Sequence, residues 1–169
     1  MASLTRGPLI AAGLLIGAGL GGFVDGIVFH QILQWHNMLS ARLPPVDVPA
    51  IKINMVWDGL FHAGVWVMTA LGIAALWGAG TRADTNWSGR VLLGAAFAGW
   101  GLFNLVEGLL DHHLLQLHHV YEYATDPLPW DLAFLASGVL LLLVGAVLIH
   151  SGRALHVTRA SLAPDQPLP

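Results

Sequence analysis

Apolar and polar positions separate into blocks along this chain. Four apolar stretches, Leu9 to Val28, Val56 to Trp77, Val91 to Leu110 and Leu132 to Ile149, each run roughly 18–22 residues, enough for an α-helix to cross a hydrocarbon core of about 30 Å. The polar blocks between them carry helix breakers. "SARLPPVDVPAIK" (40–52) holds three prolines and cannot extend the first helix. "YATDPLPWD" (123–131) sets Asp126 before Pro127, a turn or capping signal. The pattern predicts an all-α fold, a four-helix transmembrane bundle forming one domain over 1–169, with helices at about 8–36, 53–79, 90–119 and 129–152. A tail over 160–169 reads as disordered. No internal repeat is legible.

Composition sharpens this picture. The chain is 56% hydrophobic and 10% charged, with mean hydropathy +0.67, outside the range of ordinary soluble domains. It has no cysteine, which removes disulfides and thiolate metal sites from consideration. A net charge of −3 without a basic patch argues against a nucleic-acid partner. Arg6, Arg82, Arg90, Arg153 and Arg159 fall on the side holding both termini, and only Arg42 and Lys52 on the other. The positive-inside rule then places both termini in the cytoplasm. Eight of the ten acidic residues and seven of the nine histidines lie toward the outer side.

Those outer polar groups are the candidate chemistry. Counting ~1.5 Å per residue from the inner face puts Asp25, His62 and Glu107 at a common depth of ~24 Å, inside the hydrocarbon. His30, Asp58, Asp111, His112 and Asp131 follow at ~29–32 Å, and His36, Asn54, His118 and His119 at ~36–42 Å. Straight helices thus predict two bands, with His118 and His119 ~10 Å outside His112. Asn54, Asp58 and His62 share one face of the second helix; Asn104, Glu107, Asp111 and His118 share one face of the third. His30 sits about 140° from Asp25 on an ideal helix, so both reach one site only if the helix distorts, which Gly26 permits. Intramembrane ionisable groups are costly and mark function. Carboxylates and imidazoles on facing helices are the ingredients of bundle metal sites. The candidate ligands are Asp25, His30, Asp58, His62, Glu107, Asp111, His112, His118 and His119, with Glu107 also a bridge or catalytic base. Asp131, in a first helical turn, reads foremost as a complement to the helix dipole.

The strings "GFVDGIVFHQILQWHNMLS" (22–40), "DGLFH" (58–62), "GWGLFNLVEGLLDHHLLQLHHV" (99–120) and "DPLPWDLAFLASG" (126–138) together resemble a bacterial family of small four-helix membrane proteins, domain of unknown function 2243. The resemblance covers roughly residues 15–150 and implies a multi-pass protein of the bacterial inner membrane. It implies no activity.

Nitrogen and oxygen ligands without sulfur favour Zn, Fe, Mn or Cu(II), and the carboxylate count can support a dinuclear site. The expected function is a membrane protein binding a transition metal, with oxidoreductase chemistry on a small or lipidic substrate. One alternative is a metal carrier or metallo-centre assembly factor at the outer face, favoured if the ligands extend to water. Another is a protein binding haem through paired histidines. The expected partners are the lipid bilayer, a metal ion, and a second copy or another membrane protein. The charge split makes topology testable: a periplasm-active reporter fused after Pro169 should be inactive and a cytoplasm-active one active. The opposite pattern would invert the bundle.

Overall fold

The structure, a computed structural model, describes residues 4–161, with side chains through 152. Four helices form: α1 (Gly7–Val24), α2 (Val48–Gly80), α3 (Gly89–Glu107) and α4 (Leu128–Ser161). α1 and α3 each continue into a π-helical segment, Asp25–Ile32 and Gly108–Leu114. Each of the four helical units is long and apolar enough to cross a membrane. The expected tail lies, from residue 162 on, outside the described residues.

Local chemistry sets the helix ends. Ser88 Oγ accepts from Val91 N at 3.3 Å to cap α3. Asp47 accepts from Ala50 N at 2.8 Å to cap α2, with a proline in its first turn. Both caps satisfy N–H groups that a helix start leaves open. The apolar pattern carries the first and third helices to about 36 and 119, yet they stop at Ile32 and Leu114. The cause is a change in hydrogen bonding. Leu33 N bonds Val28 O and Leu115 N bonds Leu110 O, five residues back, and a glutamine after each, Gln34 and Gln116, takes φ of 53° and 50°. That left-handed conformation is uncommon outside glycine and reverses the chain direction.

These matched features correct the reading that the chain has no repeat. Gly17, Val24, Gly26, His30, Leu33, Gln34 and His36 recur 82 residues on as Gly99, Val106, Gly108, His112, Leu115, Gln116 and His118, and Asp25 becomes Glu107. The contacts are reciprocal, as a two-fold relation requires. A Cβ on Gly17 would strike the Ala96 carbonyl, and one on Gly99 would strike the equivalent Leu14 carbonyl. The halves run in the same direction, so their pseudo-two-fold axis follows the helices, the geometry of parallel membrane repeats. α1 and α3 pack together at the centre; α2 flanks α1 and α4 flanks α3, with no contact between α2 and α4 among the described residues.

Small residues let the central helices approach at backbone distance, where dispersion and lipid entropy drive association. Gly17→Ala and Gly99→Ala should therefore each destabilise the folded protein by about 1–3 kcal/mol through overpacking. Gly64, whose missing Cβ would meet nothing within 4 Å, should accept alanine at a cost below about 0.5 kcal/mol. Thermal unfolding in detergent checks this; equal effects at Gly17 and Gly64 would contradict the packing account.

Candidate metal centre

Each half delivers a carboxylate and two imidazoles to the space beside the pseudo-two-fold axis. In the first half, the π segment adds a residue to the helical turn, so Asp25 and His30, five apart, come to one side. Asp25 Oδ2 lies 3.1 Å from His30 Nε2. The left-handed turn at Gln34 then folds the chain back and returns His36, whose Nε2 is 3.9 Å from Asp25 Oδ1. The second half repeats this with Glu107 Oε1 3.0 Å from His112 Nε2 and 2.9 Å from His118 Nε2. The two halves meet where His36 and His118 stack, ring centroids 4.5 Å apart and planes 11° off parallel. All six side chains are buried.

The outer ring nitrogens are held by a layer of acceptors. His36 Nδ1 donates to Val120 O at 2.9 Å and His118 Nδ1 to Met38 O at 3.1 Å, each half anchoring the other's imidazole. A carbonyl only accepts, so both Nδ1 atoms carry the hydrogen and leave the Nε2 lone pair facing inward when neutral. Burial, followed by the neighbouring His118 and His30, holds His36 well below the ordinary imidazole range; it is neutral near pH 7. Asp58 on α2 accepts from His30 Nδ1 (3.0 Å), Met38 N (2.8 Å) and Asn37 Nδ2 (2.8 Å). Its counterpart on α4, Asp131, accepts from His119 Nδ1 (2.7 Å) and Val120 N (2.9 Å) and lies 3.5 Å from His112 Nδ1. Such outer carboxylates fix ring orientation and raise ligand basicity.

Apart from the hydrogen bond between His118 Nε2 and Glu107 Oε1 at 2.9 Å, the inward atoms are left without partners. Both Asp25 oxygens, His30 Nε2, His36 Nε2, Glu107 Oε2 and both His112 ring nitrogens are buried and unpartnered. His30 and His112 approach their carboxylates at 3.0–3.1 Å but miss the alignment a hydrogen bond needs. One ligand atom each from Glu107, His112 and His118 lies within 4.8 Å of the other two, and the same holds for His30, His36 and His118. Ligands on a common ion with bonds of about 2 Å are at most about 4 Å apart, so small side-chain shifts bring either group onto an ion. His118 belongs to both groups, yet with Nδ1 committed it has one nitrogen to give.

Of the residues expected from sequence, Asp25, His30, Glu107, His112 and His118 come together here. Asp58 stands one layer out. His62 donates Nδ1 to Asp58 O at 2.7 Å, and its Nε2 rests against Gly26. His119 reaches Asp131, matching Asn37 in the other half. Asp111 occupies the position of Phe29 in the repeat and is half-buried. The two-band expectation fails: His118 is not ~10 Å beyond His112, because the turn at Gln116 folds it back, and their ring centroids are 4.9 Å apart. His36 joins the cluster and Asp131 orients it. The 82-residue repeat was the signal that equated His36 with His118 and Asn37 with His119. The stacked His36 and His118 rings leave no slot for a porphyrin between those two imidazoles.

No curated protein and no solved structure matches this chain. The family model described as "Predicted membrane protein (DUF2243)" matches residues 12–152, a stretch that holds most of the first span, the other three spans and both halves of the cluster. The chain belongs to this membrane-protein family.

Proposed function

We propose that the chain is a dinuclear transition-metal protein of the bacterial inner membrane, with one ion held by each half. Asp25, His30 and His36 serve the first ion; Glu107, His112 and His118 serve the second. The observation that carries this reading is the set of buried, unpartnered nitrogens and oxygens facing one another, with the rings of His30, His36 and His118 held from outside. Polar atoms buried this way cost free energy unless something binds them. Two imidazoles and one carboxylate with open positions suit non-haem iron above all, and also manganese, zinc or Cu(II). Such an ion supplies Lewis acidity or redox capacity. Glu107 Oε2 is the oxygen left to bridge the ions or take a proton.

Enclosure favours an oxidoreductase over a carrier. His36 and His118 are buried at 2% and 0% exposure, whereas a delivery site would present ligands to water. Both termini are taken as cytoplasmic, which puts the centre in the outer half of the bundle.

Metal analysis of purified protein should find two ions per chain. His36→Ala or His118→Ala should leave no more than one, while His113→Ala, at a half-buried position outside both groups of candidate ligands, should retain both. Metal-free protein, or full occupancy in both ligand variants, would defeat the proposal. The outer layer is tested separately: Asp58→Asn and Asp131→Asn should each weaken metal affinity about 10–100-fold, measured by competition with a chelator.

A further inference from the structure

The two halves match around the cluster but differ toward the lipid. Beside Asp25, a cleft of about 320 Å³ opens between α1, α3 and α4. Asp25 lines its inner end, while Val24 and Leu140 line it from positions that are 36% and 62% exposed, facing the bilayer. Asn104 and Ser137, hydrogen-bonded at 2.9 Å, add a polar pair to an otherwise apolar wall. Gly21 is part of that wall. In the other half Phe103 stands at the position of Gly21, its ring 6.1 Å from that of Phe61. Gly22 replaces Asn104 there, and a Cβ on it would lie 3.2 Å from Phe103. The repeat is thus open at Asp25 and plugged at Glu107.

We infer that this cleft is a substrate site loaded from the bilayer, and that its ligand is an apolar molecule bearing a hydroxyl head, either a quinol or a long-chain alcohol. The volume is that of a small-molecule pocket, and its position lets lipid-soluble compounds enter sideways. Asp25 decides the head group. It is buried at 3% exposure, both of its oxygens lack a hydrogen-bond partner, and a carboxyl group offers an accepting oxygen in either protonation state. Its complement is an O–H donor. An ion on one Asp25 oxygen leaves the other for that hydroxyl, so the inference names a substrate class for the proposed metal centre.

Photolabelling of the full chain in nanodiscs tests this with a diazirine-bearing long-chain alcohol and the matching alkane without the hydroxyl. The alcohol should label the wall at Val24, Leu140 and Leu141 about tenfold more than the alkane does, the gain expected for one hydrogen bond to a buried carboxyl oxygen. Leu140→Trp should block labelling, and Val67→Trp, the matching position on α2, should not. Competition by a short-chain quinol alone would identify the ring-type head; competition by a long-chain alcohol alone, the chain type. Equal labelling by alcohol and alkane, equal labelling of the α2 face, or no competition by either compound would overturn the inference. Metal content measured on the same samples separates the two readings: two ions without hydroxyl-dependent labelling removes the cleft alone, and labelling without metal removes the centre alone.

Discussion

Burying carboxylates and imidazoles inside a membrane bundle is the constraint on which this structure depends. An isolated charge in low dielectric is prohibitively costly, and a half-satisfied polar network is worse than an apolar one. The chain meets this with two layers. Asp58 and Asp131 each gather backbone and side-chain donors from the loop that returns to them, so their charge is fully engaged. Asp25 instead faces His30, and Glu107 faces His112, at close range but out of alignment, and Glu107 keeps a single hydrogen bond, to His118. The outer carboxylates are thus hydrogen-bonded throughout, while the inner layer leaves most of its nitrogens and oxygens without a partner. This contrast is what supports the proposed metal centre.

Duplication explains how so small a protein assembles six donors. Each half alone supplies a carboxylate and two histidines but cannot hold its second histidine, because that ring is anchored on the opposite half through Val120 O or Met38 O. The halves are brought to this distance by the glycine contacts of α1 with α3, far from the cluster along the helices. Packing energy in the apolar part of the bundle therefore sets the geometry of the histidine and carboxylate cluster. Toward the lipid the symmetry is broken where Phe103 stands at the position of Gly21 and Asn104 at that of Gly22, which leaves a cleft beside Asp25 and a phenyl ring beside Glu107.

Much of this was legible in the sequence and the rest was hidden for definable reasons. The four spans follow from length and hydropathy, which backbone hydrogen bonding in lipid makes decisive. The conflict between Asp25 and His30 on an ideal helix was visible and pointed to the distortion that the π segment supplies. His118 was misplaced because depth counting assumes a straight helix, and the reversal rests on glutamines in a conformation usually signalled by glycine or asparagine. The repeat escaped notice because its identities are scattered among interchangeable apolar residues. Without it, His36 had no partner to give it meaning, and Asp131 read as a helix-dipole complement in place of an anchor for His119.

X-ray absorption at the metal edge tests the central claim most directly, because it reads the ligands of each ion. The account predicts nitrogen and oxygen neighbours near 2.0–2.2 Å, with the multiple scattering of two imidazoles per ion. His118→Ala should reduce the imidazole contribution along with the metal content. Four imidazoles on a single ion, or a shell of oxygen without imidazole, would contradict it.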